Sequence, residues 1–106
     1  MTKITIFKKN GKIWQYQIKG HSGYASEGSD IVCAGVSTAA QMALVGLKEV
    51  LKTGVDVAIS DGFMQVEIFD LENESAQVLL KSMESTLSDI AKNYAKNVRM
   101  EVRDVY

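Results

Sequence analysis

The chain has 106 residues, a length that suits one domain over residues 1–106 and a core buried without a disulfide or metal staple. Twelve basic and thirteen acidic residues give a net charge of −1, with Lys48, Lys52, Lys81, Lys92 and Lys96 set among Glu49, Glu74, Glu84 and Asp89, so the clustered basic footprint of direct nucleic-acid binding is missing. A single cysteine excludes an internal disulfide and fits a reducing cytoplasm, and no apolar run approaches the ~18 residues of a membrane span.

Lys3–Lys8 alternates, with Ile4 and Ile6 on one side, and reads as a strand. Asn10-Gly11 marks a tight hairpin turn, because both residues tolerate positive φ. Lys12–Lys19 returns as a second strand, with Trp14, Tyr16 and Ile18 expected on one face. Gly20–Gly28 reads as a loop rich in Gly and Ser. A long helix is expected from about Asp30 to Lys52, capped by Ser29 or Asp30 and ended by Gly54. Its apolar stripe is Val32, Val36, Ala39, Ala43, Leu47 and Val50. A second hairpin follows: Val55, Val57 and Ile59, a turn at Asp61-Gly62, then Met64, Val66 and Ile68. A second helix over Ser75–Asn97 buries Ala76, Leu79, Leu80, Met83, Leu87, Ile90 and Tyr94. Val98, Met100 and Val102 begin a last strand.

The order ββαββαβ, with one apolar and one polar face per strand, predicts an α/β (α+β) fold. It would be a mixed sheet with two helices packed on one face. Ile13 and Phe63 fall on the more polar faces of their strands, where they are either ordinary exposed apolar residues or a dimer contact. Edge strands left by the hairpins add to the expectation of a homodimer.

Only Gly20–Ser37 is over-specified for structure alone. It holds the only histidine, His21, and the only cysteine, Cys33. His21 lies where the second strand becomes a loop, and Cys33 in the first turns of the long helix. A helix N-terminus and a neighbouring imidazolium both favour a thiolate over a thiol. Free N–H groups at a helix start can donate to the oxyanion formed when a thiolate attacks a carbonyl, and the imidazole can supply the leaving amine with a proton. Asp30, Cys33 and Ser37 are spaced three and four apart and share a helical face distinct from the Val32 and Val36 stripe. A glycine-rich loop ahead of that face could admit a peptide and close over it, with Tyr24 as a pocket wall.

Each of these residues also has a structural explanation. A lone cysteine is commonly a small buried hydrophobe. Asp30 serves as a helix cap, Ser37 allows close packing, and Gly20, Gly23 and Gly28 supply turns. One Cys and one His would need two carboxylates to complete a tetrahedral zinc site, so no metal or other cofactor is expected.

The run Gly20-His21-x-Gly23-Tyr24-Ala25, followed by Gly28-x-Asp30-Ile31-Val32-Cys33-Ala34-Gly35-x-Ser37, resembles the ribosomal-processing cysteine proteases. The resemblance is sharp over residues 20–37 and extends in length and element order over nearly the whole chain. It implies a cytoplasmic cysteine endopeptidase, supporting ribosome assembly, that removes the N-terminal extension of the twenty-seventh large-subunit ribosomal protein. By position it makes Cys33 the nucleophile and His21 the base. Asp30 and Ser37 become supporting residues, and Gly20, Gly23 and Gly28 the flexible loop. It also implies a homodimer. Ser22 stands where many members have alanine. The alternative is a non-catalytic, ribosome-associated α/β binding module in which Cys33 is merely packed, since a fold alone does not decide function.

Overall fold

Asn10 and Gly11 take φ of 51° and 77°, the paired left-handed conformation of a two-residue hairpin turn. They join β1 (Thr2–Lys9) to β2 (Lys12–Lys19) in a computed structural model of the chain. The structure describes residues 1–20 and 27–105, with the backbone alone for residues 27–30. After β2 come α1 (Glu27–Val45), a π-helical turn over Gly46–Val50, β3 (Val55–Ser60), β4 (Phe63–Ile68), α2 (Glu74–Asn93) and β5 (Val98–Asp104).

The five strands form one sheet in the order β3-β4-β2-β1-β5, with β1 and β5 parallel and every other pair antiparallel. Two parallel crossovers follow from this order. β2–α1–β3 runs one way across the sheet, and β4–α2–β5 runs the other way from a strand of opposite direction. Right-handed connections of that kind place both helices on the same face. The fold is therefore α+β, as the strand and helix periodicities predict.

The core lies between that face and the helices. Ile4, Ile6, Tyr16, Ile18, Met64, Val66 and Ile68 come from the sheet. Val32, Val36, Ala40 and Ala43 come from α1, Leu47 from the π-helical turn that follows it, and Ala76, Leu80, Met83 and Leu87 from α2. The stretch Ile31–Val50, with mean hydropathy 1.5, is long and apolar enough to cross a membrane, contrary to the expectation that no run approaches that length. Here its inward stripe is the core layer against the sheet.

Several expected positions shift, each for a local reason. A β-bulge interrupts the β1–β2 register between the Phe7–Gln15 and Lys8–Ile13 pairs, leaving Trp14 as the extra residue. The inserted residue inverts the alternation. Ile13, expected on the polar face, is fully buried in the core and unavailable as a dimer contact. Trp14, expected beside Tyr16, instead packs on Phe7 with ring centroids 5.7 Å apart, under the Lys9 ammonium at 4.5 Å.

The long helix also starts at Glu27, ahead of Asp30. Ser29 and Asp30 thus lie inside it and are not its cap, and Gly28 lies in its first turn and not in a loop. Adding residues to a formed helix costs far less than nucleating one. At the other end, Leu51 N–H reaches the Gly46 carbonyl at 2.8 Å, a five-residue step that widens the last turn and turns Val50 to solvent. Lys52, at φ 51°, makes the left-handed step after the helix that had been expected at Gly54. α2 begins at an Asn73 cap, whose side chain accepts from Ala76 N–H at 3.0 Å. It ends at Asn93, so Tyr94 caps it outside the buried stripe and is half exposed.

Candidate active site

Cys33 sits on the second turn of α1, about 9 Å along the axis from Glu27. Its side chain is partly buried. A start at Asp30 would have left the Cys33 N–H among the unpaired donors of the first turn. The start at Glu27 places Cys33 past the first turn, within the regular helical ladder. The expected use of helix-start N–H groups as oxyanion donors at Cys33 is therefore lost.

The thiol lines a cavity of about 210 Å³. α1 supplies Cys33, Ser37 and Gln41, at successive four-residue steps along one face. The sheet supplies the rest: Ile18 and Gly20 from the end of β2, Ile59 and Ser60 from the end of β3, and Gly62, Phe63 and Met64 from the turn and start of β4. The floor is apolar, through the side chains of Ile18, Ile59 and Met64, while Phe63 borders the cavity from the opposite face of the sheet. The helix wall is polar beyond the thiol, through Ser37 and Gln41. Such a slot accepts an apolar side chain against the sheet while polar groups line the helix side.

Gly20 shapes one end of this slot. Its φ is 88°, and its N–H donates to the Gly62 carbonyl at 2.8 Å, which ties the end of β2 to the β3–β4 turn. A Cβ on Gly20 would collide with the Met1 carbonyl oxygen. Its glycine is required by a left-handed step and a close backbone approach.

Cys33 and Ser37 share the cavity, as their four-residue spacing predicts. His21, Gly23 and Tyr24 lie outside the described residues, as does the Asp30 side chain. Among the described residues, no cluster of His, Cys, Asp and Glu side chains suited to a metal ion occurs. Sequence reasoning missed Gln41, although it continues the Cys33 and Ser37 spacing by one more turn. It also missed the sheet wall of Ile59 and Met64, which no local pattern connects to Cys33. A larger groove of about 620 Å³ lies between α2 and β5, lined by Glu84, Ser88, Asp89, Lys92, Met100 and Val102 among others. It holds no cysteine or histidine, so the smaller Cys33 cavity is the better candidate for chemistry.

Residues 1–99 match the family model described as cysteine protease Prp. A ribosomal processing cysteine protease of Bacillus subtilis (strain 168) is 31% identical over 111 aligned positions, covering 94% of this chain and 96% of the relative. The protease of the same description from Staphylococcus aureus (strain Mu50) is 28% identical, covering 94% and 95%. A solved structure of an essential ribosomal processing protease from S. aureus, in complex with a substrate peptide, superimposes with a TM-score of 0.90 at 25% identity. That match covers 97% of this chain and all of the solved one.

Proposed function

The chain belongs to the Prp family of ribosomal-processing cysteine proteases, and from that membership we propose that Cys33 is the nucleophile of an endopeptidase acting on a ribosomal-protein precursor. The observation that carries the reading is the thiol's position: partly exposed, on the wall of a cavity with an apolar floor. A merely packed cysteine would have no such opening.

In this mechanism the Cys33 thiolate attacks the scissile carbonyl carbon and forms a tetrahedral oxyanion. Collapse breaks the C–N bond and leaves a thioester on Sγ. His21, as imidazolium, gives its proton to the departing amine and then accepts one from the water that hydrolyses the thioester. Asp30 and Ser37 support the pair, Gly20 and Gly23 belong to the segment that admits the peptide, and Gly28 opens the helix that carries Cys33. Ser37 shares the cavity with Cys33, which supports a substrate contact there.

The substrate we propose is the N-terminal extension of the twenty-seventh large-subunit ribosomal protein, cut in the cytoplasm during ribosome assembly. The structural support is the apolar floor of Ile18, Ile59 and Met64, which suits a bulky apolar residue next to the cut. The test is incubation with that protein in its extended form, read by intact mass. A single cut with the wild type and none with Cys33→Ala supports the reading, and an intact precursor refutes it. A homodimer is the proposed assembly, with Phe63 retained as a half-buried contact candidate and Ile13 removed from it. A monomer mass in light scattering at tens of micromolar would overturn that part.

A further inference from the structure

Val55, Val57 and Ile59 turn their backbone N–H and C=O groups away from the rest of the sheet. Two hydrogen bonds establish the parity. Gly20 N–H donates to the Gly62 carbonyl at 2.8 Å, so the even-numbered residues of β4 are those that bond to β2. Phe63, Gln65 and Glu67 therefore bond to β3, through their partners Ser60, Ala58 and Asp56. The bond from Phe69 N–H to the Gly54 carbonyl, at 3.2 Å, continues the same parity. Among the described residues β3 is the outermost strand, so there the alternate residues Val55, Val57 and Ile59 carry the donors and acceptors of an open edge.

The two edges of the sheet differ. On β5, Glu101 pairs with Arg103 at 2.9 Å and with Lys3 at 3.6 Å, and Arg99 lies exposed beside them. Charged side chains along an edge discourage strand addition. β3 has one charged residue, Asp56, and its sequence is otherwise Val, Ala, Ile and Ser. Near its end Ile59 is 60% exposed and lines the Cys33 cavity. The open edge and the candidate nucleophile thus meet at one residue.

We propose that the substrate docks as an added strand on this edge. An extended peptide hydrogen-bonds to the free backbone groups of Val57 and Ile59, and the continuous backbone delivers its scissile carbonyl into the Cys33 cavity. The occupant is an extended peptide with apolar side chains at alternate positions, which pack on Val55, Val57 and Ile59 on the helix side of the sheet. Main-chain pairing supplies affinity, and the apolar floor selects the side chain at the cut. This docking mode rests on the proteolytic reading of Cys33.

The test separates the two ideas. Peptides spanning the cut of the extended ribosomal protein, each with one backbone N-methyl group, are titrated against the full chain carrying Cys33→Ala, which holds them uncut. Strand addition predicts affinity losses of about tenfold at alternate residues and little change at those between. Val57→Pro removes an edge-facing donor and leaves the β4 ladder intact, a change that edge strands accept. In the otherwise wild-type chain it is expected to raise KM about fivefold with kcat unchanged. A flat N-methyl profile, or absence of binding, overturns the docking mode. If Val57→Pro fails to fold, the N-methyl profile decides alone. Cleavage of the unmodified peptide by the wild type is scored separately, so failure to cut with an alternating binding profile counts against proteolysis and not against edge docking.

Discussion

The side-chain amide of Gln77 holds the backbone of Ile13 from both sides: Oε1 accepts from the Ile13 N–H and Nε2 donates to the Ile13 carbonyl, each at 2.9 Å. β4 ends at Ile68 and pairs with β2 only as far as Gln15, so beyond that point α2 provides the partner the sheet lacks. Gln77→Leu would leave two buried backbone groups unsatisfied. The expected loss is ~2–4 kcal/mol, measured as a lower urea midpoint at unchanged slope. Gln77→Glu should recover little of it, since an ionised carboxylate accepts but cannot donate to the Ile13 carbonyl.

Gly20→Ala tests the left-handed step at the end of β2. The substitution meets both the φ of 88° and the Met1 carbonyl oxygen. A loss of ~1–3 kcal/mol in stability is expected. Gly20 also borders the Cys33 cavity, so peptide turnover should fall beyond what the unfolded fraction explains. Equilibrium denaturation and kcat/KM on the same preparation check this.

Tyr16 gives a pH dependence with a definite sign. Its side chain is fully buried, its Oη donates to the Ala40 carbonyl at 3.0 Å, and burial pushes its pKa well above the ordinary value of 10.0. Above pH ~10 the unfolded chain releases this proton while the folded chain keeps it. The unfolded state then binds fewer protons, so stability falls as pH rises. Tyr16→Phe should lose ~0.5–1.5 kcal/mol near neutrality through the missing hydrogen bond. It should also flatten the alkaline decline, and thermal melts from pH 8 to 11 resolve the two effects.

The proposed catalytic set makes graded forecasts. Cys33→Ala should abolish turnover with the circular dichroism spectrum unchanged, because alanine suits a helix. Cys33→Ser should fare little better, a hydroxyl being much harder to ionise than a thiol. His21→Ala should lose ~10²–10⁴-fold in kcat/KM, the usual range for general acid–base catalysis. Because Asp30 lies within α1 and not at its cap position, Asp30→Ala should cost little stability, and any large loss should appear in activity alone. A folded Cys33→Ala that cuts the extended ribosomal protein at the wild-type rate would end the protease reading.

What the sequence determined by itself was local in origin. Asn10-Gly11 and Asp61-Gly62 specify tight turns through the φ values their residues tolerate, and the two- and three-to-four-residue periodicities specify five strands and two helices. One apolar face per strand indicated that both helices cover the same side of the sheet, while the strand order behind the two crossovers came only with the structure. Cys33 and Ser37 were legible as one face because helix spacing is a property of the chain alone.

The tertiary structure decided what depends on distant partners. The bulge at Trp14 appears only when β2 is paired with β1, and it reverses Ile13 and Trp14 against the alternation read from β2 alone. The π-turn that exposes Val50 lies where Gly46 packs so closely on α2 that a Cβ would strike Leu79. Ile59 and Met64 face Cys33 because the β2–α1–β3 crossover lays α1 across the ends of those strands. Periodicity carries the orientation of a side chain relative to its own element. Which residues of another element it meets is determined by packing, and the wall opposite the thiol is a product of that packing.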